Sequence, residues 1–206
     1  MKRASTEEKK QERRSAIIER ARAYIATRSF EEIRLGDLAR ELDLVKGTLY
    51  LYFPTKQDLF VSILTEDMDA WWDALVKRRS SRFPGKDLTR NLSEHQLMIR
   101  LLASLHMTIE PGLTPEGLRR VKTWFRDFAL RASQDLEERY PGLDGRGLKL
   151  LMGIYALVVG ISQIAFPPRN VQTLLESDAT LEVFRVELEA FLAQSINALY
   201  AGMRRP

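Results

Sequence analysis

Lys46, Gly47, Thr48, Tyr50 and Tyr52 crowd into one short stretch, KGTLYLY, and their chemistry is that of a surface that meets a polyanion. Leu49 and Phe53 recur at helical spacing and take the buried side of a short helix, which leaves the other five on or near its open side. A Lys ammonium donates to guanine O6 and N7 or to phosphate, and a Thr brings a hydroxyl together with a methyl suited to thymine. Gly47 has no side chain, so the backbone there can come close to DNA. The hydroxyls of Tyr50 and Tyr52 can reach phosphate oxygens, contacts that position a protein on a duplex without specifying sequence.

Such residues need an element that presents them. Just upstream, Leu38, Ala39 and Leu42 recur at helical spacing, so Leu35–Leu42 can bury one face of another short helix. Asp43-Leu44-Val45 breaks the pattern between the two. Two short helices joined by a tight turn form a helix-turn-helix, whose second helix is slim enough to enter the major groove. The same pairing also serves as a plain packing unit. Downstream, Thr55-Lys56-Gln57-Asp58 has the capping-box pattern that opens a helix. Free backbone N–H groups and the Lys56 ammonium at that helix start would favour a phosphate.

The segment KGTLYLYFPTKQDLF closely resembles the signature of the tetracycline-repressor (TetR) family of bacterial transcription regulators. The resemblance covers roughly residues 12–64: a first helix ending near Phe30, then LGDLAREL, then KGTLYLYF, then a Lys-led fourth helix. It implies that Lys46, Thr48, Tyr50, Tyr52 and Lys56 face DNA. The chain departs from the family pattern at three positions. Asp43 stands where Gly is common in the turn, and Asp tolerates a left-handed conformation better than most residues. Val45 stands where a Ser usually caps the recognition helix, and Val cannot cap. Arg34 stands where a Thr or Ser often opens the second helix, and it can instead contact phosphate there. Arg34, Val45 and Gly47 therefore join the expected DNA-facing set.

Composition agrees with a chain in two parts. The 206 residues are 45% hydrophobic, enough for a real core, and the net charge is +4. Residues 1–60 carry 13 Lys and Arg against 10 Asp and Glu, while the rest carry 19 against 18. A basic end and a near-neutral body suit one DNA-facing part and one with another task. With no cysteine there is no disulfide, thiolate nucleophile or cysteine-ligated zinc, which fits a reducing cytoplasm. MKRASTEEKKQERR lacks an apolar stretch and is not a secretory signal. It suits an arm along phosphates or a solvated tail. Leu150–Phe166 has no charge and is about as long as the shortest membrane span. Its two glycines, Ser162 and Gln163 point to a buried helix of a soluble protein, covered on all sides by neighbours and a second subunit.

The spacing predicts an all-α fold, a three-helix head with the helix-turn-helix over residues 1–55 joined to a larger helical body over 56–206, and the resemblance implies that this body binds a ligand and dimerises. A capping box at Ser5 and Glu8 would open the first helix, with Ile17, Ala21, Tyr24 and Ile25 as its apolar face and an end near Ser29. The fourth helix would run from Lys56 to about Lys77, striped by Phe60, Ile63, Leu64, Met68, Trp71 and Leu75. Residues 80–87 read as a linker, and Thr89–Ile109 as one helix. Thr114-Pro115 opens a helix to about Tyr140, Pro141–Gly147 is a loop, and the apolar helix follows. A final helix would span about Thr180–Met203.

In the body, Trp71, Met98, Trp124, Phe125 and Phe128, joined by His95 and His106, suit either ordinary core or a pocket for an apolar or aromatic molecule. Trp71 and Trp72 sit about 100° apart on a helix, and Trp71 fits the buried stripe better. A metal site is disfavoured, because His95 and His106 would stand about 16 Å apart along one helix. No phosphate-cradling loop or nucleophile motif suggests an enzyme, and no cofactor is expected. Long apolar faces on the last two helices, including Tyr155, Phe184, Leu188, Phe191 and Leu192, suit a dimer interface or the subunit's own core. The resemblance implies the former, a four-helix interface between two copies. The expected protein is a cytoplasmic homodimeric regulator, a repressor released from palindromic double-stranded DNA by a small apolar effector, with no membrane partner. An effector-independent DNA-binding factor and a helical-bundle enzyme are the alternatives.

Overall fold

A computed structural model describes residues 2–90 and 92–204, with the side chains of residues 2–7 and 93 outside the description. The described residues form ten α-helices and no strand. The first four are α1 (Lys2–Ala26), α2 (Leu35–Glu41), α3 (Lys46–Tyr52) and α4 (Lys56–Val76). Ile17, Ile18, Ala21 and Ile25 are buried along α1 and meet Leu38, Ala39 and Leu42 of the α2 region, Leu49 of α3, and Phe53. The backbone of α1 is already helical at Lys2, so Ser5 lies inside the helix instead of capping it. The side chains of the expected basic arm at residues 2–7 lie outside the described residues.

The turn between α2 and α3 works as its residues require. Asp43 adopts φ 52°, the left-handed region, and the amide of Leu44 donates to the carbonyl of Ala39 at 2.8 Å. Both short helices open without a side-chain cap, at Arg34 and at Val45. Thr55 caps α4 fully: its Oγ1 accepts from the amide of Asp58, and its own amide donates to the Asp58 carboxylate.

The body continues with α5 (Pro84–Thr89), α6 (Gln96–Ala103), α7 (Pro115–Arg139), α8 (Gly147–Ala165), α9 (Arg169–Ser177) and α10 (Leu188–Met203). One core runs without a break from Ile17 to Tyr200, with α4 buried in both parts. Trp72, not Trp71, is the fully buried tryptophan of α4. The reason is polar: its Nε1 donates to Asp135 Oδ2 on α7 at 2.6 Å, which satisfies the indole N–H.

Three expected elements are redrawn. The residues read as a linker include α5, which Pro84 opens as the first helical residue. The single helix expected over Thr89–Ile109 is instead a 3-10 turn (Leu92–His95), then α6, then a π-helical turn (Leu105–Ile109), then Glu110–Gly112. Likewise α10 starts at Leu188, preceded by α9 and a 3-10 turn, Ala179–Phe184.

α5 decides where α10 faces. The amide of Gly85 donates to Asn197 Oδ1 at 2.8 Å, and Asp87 accepts from the amide of Ser81 and the hydroxyl of Tyr140. Docked there, α10 turns Leu188, Leu192, Ile196 and Tyr200 into its own subunit. Leu188 and Leu192 therefore close this chain's core and are not available to a second copy, contrary to the sequence expectation. Phe184 and Phe191 are exposed. A Cβ at Gly85 would stand 2.2 Å from the carbonyl oxygen of Ala193. Gly85→Ala should therefore force α5 and α10 apart and cost about 1–3 kcal/mol, read as a lower midpoint in urea unfolding.

Candidate functional site

The outer face of α3 is free of carboxylates and open to solvent. Arg34, Val45, Lys46, Gly47 and Tyr50 are exposed, while Thr48 and Tyr52 are partly so. The Lys46 ammonium lies 5.7 Å from the Tyr50 ring centre, a cation–π contact that holds it over the helix. A Cβ at Gly47 would meet nothing within 4 Å, so this turn of backbone can be approached closely. Leu51 is also exposed on this helix, a position the apolar spacing did not single out. Apolar groups on a recognition helix can meet thymine methyls.

Lys56 stands differently from expectation. Its Nζ donates to the carbonyls of Phe30, Ile33 and Glu31 at 2.7, 3.1 and 3.3 Å. All three donors of the ammonium are thereby used on backbone. The side chain is turned toward the connection between α1 and α2. The Asp58 carboxylate also occupies the start of α4, which removes the attraction of that helix end for an anion.

In the body, α4, α6, α7, α8 and α10 line a partly open cavity of about 250 Å³. Trp71, Met98, His106, Phe125 and Phe128 line it, as the sequence suggested. Trp124 and His95 do not. Trp124 stacks on Phe128 with ring centres 5.1 Å apart and donates from Nε1 to Asp69, behind the cavity wall. His95 sits in the 3-10 turn. Tyr155, expected at the subunit interface, lines the cavity instead, with Leu151 and Val158 on the same face of α8. That spacing of three and four is the signal for it, but the whole of α8 is apolar and hides which face looks inward.

The polar groups gather at one end. Lys122 Nζ donates to Glu110 Oε1 at 2.7 Å, and His106 Nδ1 lies 3.1 Å from Glu110 Oε2. Burial pushes the Glu110 carboxyl up, but the hydrogen bonds from Lys122 and His106 outweigh it and hold the group below the ordinary carboxylate range. Its pairing thus contributes stability above the ordinary range and loses it as pH falls through the lowered value.

From this end the chain leads to the head. A Cβ at Gly112 would stand 2.4 Å from Gln57, and one at Gly117 would stand 2.9 Å from Asp58 Oδ1. Arg120 on α7 donates to the same Asp58 oxygen at 3.3 Å. The first turns of α7, whose later residues line the cavity, are thus in contact with the start of α4. Among the described residues no cluster of His, Asp and Glu suits a metal ion.

A solvent-facing second helix of a helix-turn-helix, mounted on a helical body with an apolar cavity, is the layout of a helix-turn-helix transcription regulator. Residues 17–63 match the tetR family of bacterial regulatory proteins, and residues 62–206 match a tetracyclin repressor-like C-terminal domain. The chain belongs to the TetR family of transcriptional regulators, which are DNA-binding factors and not enzymes. It is 28% identical over 195 residues to the uncharacterized HTH-type transcriptional regulator YfiR of Bacillus subtilis, covering 95% of this chain and 84% of YfiR. It is 33% identical over 72 residues to the HTH-type transcriptional regulator EthR of Mycolicibacterium smegmatis, 35% of this chain and 30% of EthR. Over 124 residues it is 30% identical to the HTH-type transcriptional repressor KstR of Rhodococcus jostii, 60% of this chain and 53% of KstR. The matches to EthR and KstR span less than two thirds of those proteins.

The geometry separates two lysines that look alike in sequence. Lys46→Ala should reduce the slope of log affinity against log salt by about one, the effect of a lost phosphate or base contact. Lys56→Met should leave that slope unchanged and instead lower the local stability of α2 and α3 by about 1–3 kcal/mol, since buried carbonyls lose their donor. DNA titrations at several salt concentrations and amide hydrogen exchange of the head check the pair.

Proposed function

We propose that this regulator is a cytoplasmic homodimer that represses transcription from a palindromic operator and leaves it when a small apolar molecule occupies the body. Arg34, Val45, Lys46, Gly47, Thr48, Tyr50 and Tyr52 form its DNA face. The observation that carries the reading is the cavity together with the contacts that α7, one of its walls, makes to the start of α4. A molecule filling the space between Met98, Phe125 and Phe128 pushes on α6 and α7. α7 holds Asp58 through Arg120, and Asp58 belongs to the cap from which α4 and the head are hung. Occupation of the cavity therefore biases the angle between head and body. In a two-fold dimer this angle sets the distance between recognition helices, which must match successive major grooves. The effector shifts DNA affinity only by its differential binding to the two spacings.

Dimerisation is supported by apolar surface that the chain leaves uncovered. Leu148, Met152 and Ile164 on α8 are exposed, as are Phe191 on α10 and Phe184 before it. Residues of this kind in one region mark an interaction surface. The same helix α8 is apolar and long enough to span a bilayer by composition alone. Its membership of a TetR-type C-terminal domain supports subunit contact as the use of that surface. Repression is supported by the relative from Rhodococcus jostii, whose name describes a repressor.

Three measurements test the reading. Selection from random duplexes should return a palindrome. Phe191→Glu should shift the protein from dimer to monomer in sedimentation at micromolar concentration, since it places a charge in an apolar contact; a wild-type monomer would refute the dimer. Arg120→Ala should preserve operator affinity to within a few-fold but reduce the change in affinity that an effector causes, which normally lies at about 5–150-fold. An undiminished response in that variant would remove the Arg120–Asp58 contact from the coupling route.

A further inference from the structure

One residue of the cavity wall carries a buried polar atom with no partner. The hydroxyl of Tyr155 is buried and makes no hydrogen bond, although its ring lines the wall. Burying an unpaired hydroxyl is costly, so native sites seldom keep one without use. Its ring meets the His106 ring edge-on at 5.9 Å, which sets it at the polar end of the cavity. Burial and the nearby Glu110 carboxylate push the phenol up, so the hydroxyl keeps its proton and serves as a donor.

The charges around it are already matched. Glu110 accepts from Lys122 on one oxygen and faces His106 on the other. Its side chain is only 14% exposed and its charge persists, so the polar end presents a shielded carboxylate with its cation in place. A ligand carboxylate entering there would have to share the Lys122 ammonium with Glu110 and sit beside a second negative charge. The remaining wall is aliphatic and aromatic, including Leu102, Phe125, Phe128 and Ile196. A cavity of 150 Å³ holds benzene, so one of about 250 Å³ takes roughly ten non-hydrogen atoms.

We propose that the cavity selects an uncharged, otherwise apolar molecule of that size carrying one acceptor oxygen, as in a ketone or ester, which takes the Tyr155 hydroxyl as donor, and that it rejects the corresponding carboxylate. The proposal rests on the effector reading for its site and specifies the ligand class.

The test uses three probes of matched length, 2-nonanone, nonane and nonanoate, titrated at neutral pH against the full chain, with the fluorescence of Trp71 and Trp72 as readout. 2-Nonanone should bind most tightly, and nonanoate at least about tenfold more weakly, one hydrogen bond or one unfavourable charge contact being worth about that factor. Tyr155→Phe, which keeps the ring and its packing, should weaken 2-nonanone about tenfold and leave nonane unchanged. Glu110→Gln should narrow the gap between nonanoate and the ketone. Nonanoate binding as tightly as 2-nonanone, a Tyr155→Phe protein that binds the ketone normally, or no binding of any probe would each overturn the proposal. Operator release is measured in parallel. Ketone binding in the expected order without release from DNA would sink the effector reading and leave the ligand class standing. Release by nonanoate alone would do the reverse.

Discussion

A carboxylate taken out of water must keep partners, and in this protein the partners of Asp58 belong to different parts of the molecule. Thr55 on one side ties it to the start of α4, where the head is hung. Arg120 on the other ties it to α7, a wall of the cavity. The group is 8% exposed, so losing either partner leaves a charge poorly hydrated and poorly paired. Head and body therefore cannot change their angle freely. They move together with α7, or they do so at the expense of this contact. Close packing at Gly112 and Gly117 against Gln57 and Asp58 adds a steric form of the same constraint.

The head depends on a second internal arrangement of the same kind. Lys56 places its ammonium on three carbonyls at the connection between α1 and α2. Arg100 from α6 donates to the carbonyls of Ala26 and Arg28 in the same region. The end of α1 is thus held by cations from two later helices, which suits carbonyls left without intrahelical partners. On the outer side, Arg14 and Arg22 of α1 pair with Glu66 and Asp67 of α4. These pairs are partly buried, and ion pairs still within reach of solvent contribute modest stability each. Their number and geometry fix the direction of α1 along α4 and, with it, the plane in which α3 is presented.

The body solves a different problem. α8 is apolar around most of its circumference, and one subunit cannot cover all of it. α6, α7 and α10 cover part, and the cavity takes the stretch around Leu151, Tyr155 and Val158. Leu148 and Ile164 remain outside, and Met152 stands exposed at the cavity rim. One helix thereby faces both the cavity and the surface proposed for a second copy. The polar cluster of His106, Glu110 and Lys122 sits where the π-helical turn meets α7, so the end of the cavity with hydrogen-bonding capacity is also the end nearest the head.

Local chemistry was legible in the residues alone. LGDLAREL and KGTLYLYF announce two short helices because their apolar residues recur at helical spacing, and Asp43 marks the turn because few other side chains tolerate a positive φ. Thr55 with Asp58, and Thr114 with Pro115, announce helix starts because a cap is made within four residues. The exposure of Lys46, Gly47 and Tyr50 follows from the opposite side of the same helix being apolar. What the spacing could not decide was which neighbour covers which apolar face. The apolar stripe alone favours Trp71 over Trp72 for burial, and Asp135, far away in the chain, reverses that order by accepting from Trp72. Lys56 looked available for phosphate until the carbonyls of the α1–α2 connection were placed beside it. Leu188, Leu192 and Tyr155 are apolar or aromatic at helical spacing, equally suited to a partner subunit or to their own core. Only the docking of α5 on α10, through Gly85, turned the first two inward, and the space left between α6, α7, α8 and α10 turned the third toward a cavity. Periodicity names a face, whereas burial and hydrogen-bond partners depend on contacts between residues distant in sequence, and those exist only once the helices have packed.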